Sequence, residues 1–151
     1  MPIYAVNKRA NFDYQISDTY EAGLVLFGQE VKSIKTGHIN LNNSFVTLKN
    51  GARPELYLIN CHIPPYKYAN ISAGYEPTRE RKLLLKKSEI RRLIGKIKEQ
   101  GLTLVPIKVY NKSGLIKLAF GVGKGKSKID KRETIKKRET ERKLRRMKQQ
   151  Y

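Results

Sequence analysis

Little in these 151 residues is available for disulfide or metal chemistry. A single cysteine, Cys61, excludes a disulfide framework and a cysteine zinc cluster. The two histidines, His38 and His62, stand at no metal-ligand spacing from each other or from Cys61. No apolar run approaches the roughly 20 residues that cross a bilayer, and no apolar segment follows a basic start as in a secretion signal. A cytoplasmic protein without a membrane span is the expectation. Acidic side chains are scarce too: 13 Asp and Glu stand against 32 Lys and Arg, a formal charge of +19. That balance argues for a polyanionic partner, nucleic acid first, and against an ordinary small-molecule enzyme.

The charge sits in two settings. Residues 122–151 carry 13 basic and 4 acidic side chains, and residues 1–121 carry 19 and 9. Only Val122, Ile129, Ile135, Leu144, Met147 and Tyr151 are sizeable apolar residues in the last stretch. These few cannot offset an ordering cost of roughly 1–2 kcal/mol per residue. A boundary is therefore expected near Gly121–Gly125, with a folded body over 1–121 and a basic tail over 122–151 that is disordered alone. The pairs Glu133/Lys137, Glu139/Lys143 and Glu141/Arg145 run acid to base at i,i+4, so the tail is set to become helical on a template. The plainer reading is a solvated tail that adds only solubility.

In the body, Tyr14–Phe27 is aromatic and β-branched and predicts one or two strands, bent or bulged at Gly23. A short helix is expected over Glu30–Thr36, stopped by Gly37. Leu41–Lys49 and Glu55–Asn60, joined at Asn50-Gly51, predict a hairpin. Residues 62–82 hold Pro64, Pro65, Gly74 and Pro77 and read as a long irregular connection. Ile90, Leu93, Ile94 and Ile97 repeat at helical spacing, with Ser88 as N-cap and Gly101 as the stop. Strands follow on either side of a turn at Asn111–Gly114, the first edged or bulged at Pro106. Five or six antiparallel strands with one substantial helix fit a mainly β fold: a small OB-like antiparallel barrel with flanking helices and a basic C-terminal tail.

Catalytic readings find little support. Cys61 and His62 are neighbours, and neighbours on a strand point to opposite faces, so a Cys–His nucleophile pair is geometrically poor. An RNA hydrolase built on His62 or Glu30 is the enzyme alternative, and no constellation supports it. Gly121, Gly123 and Gly125 with Lys124 and Lys126 lack the spacing of a phosphate-binding loop and read as a flexible hinge with phosphate-seeking lysines. Basic residues do stand beside flat ones at Lys8-Arg9-Ala10-Asn11-Phe12-Asp13-Tyr14 and at Tyr66-Lys67-Tyr68. Cations can meet phosphates there while rings stack on unpaired bases.

The segments "NKRANFDY" (7–14), "YEAGLVLFGQEVKSIKTGHINL" (20–41), "HIPPY" (62–66), "RKLLL" (81–85), "EIRRLIGK" (89–96), "GLTLVPIKVY" (101–110) and "GKGKSKIDKR" (123–132) resemble the SmpB family in order. These proteins bind transfer-messenger RNA (SsrA) in bacterial ribosome rescue, or trans-translation. The resemblance implies an OB-like barrel that binds the transfer-RNA-like domain near its elbow through Asn7, Lys8, Arg9, Tyr14 and Glu21. It implies a tail whose Gly125, Lys126, Lys128, Asp130, Lys131 and Arg132 meet the ribosome in the decoding centre and empty messenger channel. The role is then binding and mimicry, with no catalytic residue, cofactor, metal or small-molecule substrate. Asn11, Phe12, Lys86, Ser127 and Ile129 depart from common family residues, and Ile129 offers no aromatic face for a decoding-centre base. A generic OB-fold single-stranded RNA binder, or a ribosomal-type protein, is the alternative.

Overall fold

A two-residue turn organises the C-terminal half of the barrel. Ser113 and Gly114 both adopt positive φ, 52° and 80°, which matches the twist of antiparallel strands. Asn111 Oδ1 accepts from the Gly114 amide at 3.0 Å. The turn joins β6 (Thr103–Lys112) to β7 (Leu115–Gly125). Along β7, Ile116, Leu118, Phe120 and Val122 alternate into the core, the last three with no exposure. The chain is described by a computed structural model over residues 2–49, 51–67 and 74–150.

The other elements are β1 (Ile3–Val6), α1 (Ala10–Asp13), β2 (Tyr14–Leu24), α2 (Gly28–Lys35), β3 (Phe45–Lys49), β4 (Glu55–Ile59), β5 (Arg81–Leu84), α3 (Lys87–Gln100) and α4 (Lys128–Gln150). The sheet order is β1-β6-β3-β4-β5-β2-β7, and β7 also pairs with β6. Six strands therefore close into a ring, and β1 adds to the outer edge of β6. Closure removes the open edges that a six-stranded sheet would otherwise expose. The seam between β3 and β6 is short, with only Val46 opposite Leu104. Leu56, Leu58, Cys61, Ile63, Leu93 and Val109 are among the residues that share the buried interior.

Several expectations need correction. The bulge in β2 falls at Ser17, between the pairs Ile16–Gly123 and Asp18–Val122, whereas Gly23 pairs regularly with Leu84 and Lys117. Pro106 does mark a bulge, because Ile107 is skipped in the β6–β7 register. The cap of α3 is Lys86, so Ser88 lies inside the first turn, while Gly101 ends the helix at φ 60°. Residues 62–82 are not all connection: Arg81 and Lys82 open β5, between β4 and β2 in the ring. Asn50 and Tyr68, singled out in the sequence, lie outside the described residues.

The reason β5 is hidden is a buried charge network. Arg81 and Glu30 are both fully buried. Arg81 Nε donates to Glu30 Oε2 at 2.7 Å, and its other nitrogens donate to the carbonyls of Cys61 at 2.7 Å and Pro77 at 2.9 Å. Arg79 pairs with the same carboxylate, which also accepts from the Phe27 amide at 2.8 Å. The network ties α2 to β5 and to residues 75–81.

The region of the expected boundary, Gly121–Gly125, is itself strand. Val122–Gly125 belong to β7 and pair with β2, ending at Tyr14–Gly125. The glycines serve close packing: a Cβ on Gly121 would lie 2.5 Å from Ile16 Cγ2, and one on Gly123 would lie 3.2 Å from Tyr14 Cβ. Beyond Lys126 and Ser127 the chain enters α4, 23 residues long, the conformation expected of the tail on a template. Among the described residues no helix is long and apolar enough to cross a membrane.

Candidate nucleic-acid interface

Asn7, Lys8, Arg9 and Tyr14 come together at the α1 rim. Asn7 anchors the rim: its side-chain nitrogen donates to the Pro106 carbonyl at 2.9 Å, and its amide donates to the Ile107 carbonyl at 2.7 Å. The proline bulge of β6 thus frees carbonyls that seat the chain entering α1. Lys8 and Arg9 point outward and are exposed. Arg9 Nε donates to Asp13 Oδ2 at 3.1 Å, and its guanidinium lies 5.2 Å from the Phe12 ring centre. A cleft beside them is lined by Asn7, Arg9, Tyr14, Asn42, Asn43 and Phe45. It offers amides, a cation and two aromatic rings in one place, the chemistry that meets a phosphate and an unpaired base. Phe45, 46% exposed, and the two asparagines escaped the sequence reading because they sit at a strand entry remote in sequence.

Glu21 stands apart from that rim. It lies seven residues beyond Tyr14 on the same strand, about 23 Å at roughly 3.3 Å per residue. Its carboxylate accepts from the Tyr110 hydroxyl and from Lys112 Nζ at 3.2 Å. The Tyr110 hydrogen bond lowers the Glu21 pKa, burial opposes this, and Lys112 and Lys117 add to the lowering. Burial and then the Glu21 bond push the Tyr110 hydroxyl well up. Glu21 is therefore a charged acceptor, half-covered and ringed by cations. Leu84 and Leu115, 54% and 61% exposed, line a shallow groove nearby with Lys117. The five body residues thus divide between two places on the barrel.

The tail residues divide as well. Gly125 ends β7, and the Lys126 amide donates to the Asp13 carbonyl at 2.9 Å. Lys126 Nζ donates to the Asn11 carbonyl at 2.6 Å and to Thr134 Oγ1 at 2.8 Å. Lys131 Nζ pairs with Asp13 at 3.4 Å and lies 5.8 Å from the Phe12 ring centre. Arg132 is exposed on α4. Lys128 and Asp130 lie in the first turn of the same helix. Asp13, which the sequence reading passed over, is the carboxylate on which the body rim and the tail meet. Its i,i+4 spacing from Arg9 was the available signal.

The residues of the enzyme alternative are otherwise occupied. Burial pushes the Cys61 thiol up to about 12, far from thiolate at neutral pH. His62 is exposed and bridges Asn40 through its backbone. Glu30 is held by two arginines inside the fold.

A strongly cationic β-barrel, with amides and rings on one rim and a basic helix rooted there, defines an RNA-binding barrel protein. The SmpB protein family model matches residues 4–150, and the chain belongs to that family. The SsrA-binding protein of Anoxybacillus flavithermus is 53% identical over 144 residues, 95% of this chain and 91% of that one. That of Thermosipho africanus is 51% identical over 145 residues, 95% of each chain. A solved chain described under "tmRNA-SmpB: a journey to the center of the bacterial ribosome" superposes with a TM-score of 0.65 at 44% identity. The match covers 89% of this chain and 95% of the other.

Proposed function

We propose that this protein binds transfer-messenger RNA and delivers it to stalled ribosomes for trans-translation. Family membership over residues 4–150 carries the reading. The α1 rim with Asn7, Lys8, Arg9 and Tyr14, and the Glu21 site about seven residues along β2, are assigned to transfer-messenger RNA as two separate contacts. Gly125, Lys126, Lys128, Asp130, Lys131 and Arg132 are assigned to the ribosome, where the tail occupies the decoding centre and empty messenger channel. A channel walled by phosphates would order a basic helix, and messenger would exclude it. The tail is disordered in the free chain and helical there. The protein acts by binding in the cytoplasm and catalyses no step.

The test is equilibrium binding to transfer-messenger RNA and to an unrelated hairpin across a salt series. Full-length protein and residues 1–127 are compared. The shorter piece ends at 127 because a cut at 121 would remove the end of β7 that pairs with β2. Preference for transfer-messenger RNA should persist at higher salt and survive loss of α4. Equal, tail-dependent binding to both RNAs would leave a generic basic RNA binder in its place.

A further inference from the structure

The first turns of α4 touch the body through α1, and they do so beside a residue assigned to RNA. Asp13 takes two cations at once: Arg9, through Nε at 3.1 Å and a second nitrogen at 3.3 Å, and Lys131 at 3.4 Å. Phe12 lies under both, 5.2 Å from the Arg9 guanidinium and 5.8 Å from Lys131 Nζ. Lys126, between β7 and α4, adds bonds to the Asn11 carbonyl and to Thr134. The Asp13 side chain is 27% exposed and that of Lys131 35%, so the contact is partly shielded from solvent.

We propose that Asp13 is a positioning residue that couples RNA occupancy at Arg9 to the docking of α4 on the body. A phosphate arriving at Arg9 draws the guanidinium outward and meets the Asp13 carboxylate beside it. That carboxylate repels the phosphate unless another cation covers it. Lys131 is the cation in place, so the docked tail removes the repulsion and RNA in turn strengthens the Asp13–Lys131 pair. Linkage makes the effect reciprocal. The Arg9 bond lowers the Asp13 pKa, burial opposes it and Lys131 adds to it, so the carboxylate stays charged at neutral pH. Binding of transfer-messenger RNA would then present the tail in one direction before it meets the ribosome.

The inference rests on Arg9 as an RNA contact, and the experiment separates the two. Spin labels are placed at Ala52→Cys on the β3–β4 turn and Lys143→Cys on α4, both exposed positions. The buried Cys61 is replaced by Ser. Distances are measured with and without transfer-messenger RNA, and binding is followed in parallel. A coupling of about fivefold, the low end of site-to-site couplings, moves an evenly split tail to about five-sixths docked. The distance distribution of the otherwise unchanged protein should narrow accordingly. Asp13→Asn and Lys131→Ala should still bind RNA but keep the broad distribution, and Asp13→Glu should restore the narrowing. Narrowing in Asp13→Asn equal to that with Asp13 present would overturn the role of Asp13. An unmoved distribution in the parent, with binding lost in Arg9→Ala, would overturn the coupling and leave the RNA assignment standing. Undiminished binding in Arg9→Ala would remove both.

Discussion

Two carboxylates carry opposite tasks in this barrel, and their surroundings decide which. Glu30 is enclosed, and its carboxylate accepts from Arg79, Arg81 and the Phe27 amide. Burial raises its pKa, but Arg79, the Phe27 amide and Arg81 together bring it below the ordinary 4.5. A carboxylate depressed on folding contributes stability that is complete above pH about 4.5 and is lost as pH falls through the folded value. Glu30→Gln should cost about 3–5 kcal/mol at neutral pH, because the buried Arg81 guanidinium and the partly buried one of Arg79 lose their counter-charge. Urea unfolding from pH 7 to 3 should show the variant flatter than the parent below pH 4.5, and parallel curves would mean that Glu30 does not titrate on unfolding. Glu21 is open on one side and keeps acceptor capacity toward solvent. Glu21→Gln should weaken transfer-messenger RNA binding about tenfold or more, since hydrogen bonds to charged groups are worth about 1.5–3 kcal/mol. The salt slope should not fall, because no phosphate-neutralising cation is removed. Unchanged affinity would take Glu21 out of the interface.

At the scale of elements, β7 and α4 meet at a point where composition alone misleads. Gly121 and Gly123 read as a hinge in the sequence, yet they let β7 press against Ile16 and Tyr14 of β2. Gly121→Ala sets a methyl 2.5 Å from a β-branched side chain and 3.2 Å from the Asp18 carbonyl. It should destabilise by about 1–3 kcal/mol in spite of the entropy gained in the unfolded chain. A thermal midpoint at or above the parent's would show that β2 yields there. The helix at 87–100, the 45–59 hairpin and the Ser113-Gly114 turn were legible because each has a local period or turn chemistry. Strand β5 was not, since one of its two inward residues, beside Leu83, is an arginine whose partner, Glu30, lies 51 positions away. Strand β1 was not either, being four residues at the edge of β6. In α4 the sizeable apolar residues Ile129, Ile135, Leu144 and Met147 are 42–67% exposed and form no stripe. A helix with no packed face draws little from tertiary contact and is marginal in water. A peptide of residues 126–151 should give a weak helical circular-dichroism signal alone and a clear gain on adding RNA. Strong helicity in buffer would remove the proposed disorder of the free tail.

On the scale of the whole molecule, RNA affinity and ribosome action need not depend on the same charges. The +19 of the chain draws it toward any polyanion, but selectivity requires shape and positioned groups. The groups proposed for that role lie on the barrel, at the α1 rim and around Glu21. The tail leaves the rim at Lys126 and exposes Arg132 on α4, which lines a cleft with Asn11 and Tyr14 as far as Glu141. Replacing Asp130, Lys131 and Arg132 together by Ala removes one net positive charge and the Lys131–Asp13 contact, while the barrel keeps its core. Transfer-messenger RNA affinity should stay within about tenfold, or 1.4 kcal/mol, of the parent. Tagging of chains on stalled ribosomes should fall to background, because a cationic segment that cannot settle among phosphates cannot report an empty channel. If affinity and tagging fell together by the same factor, RNA capture would be the tail's only task. Retained affinity with lost tagging would instead divide the labour as proposed, between a barrel that holds one RNA and a helix that tests for the absence of another.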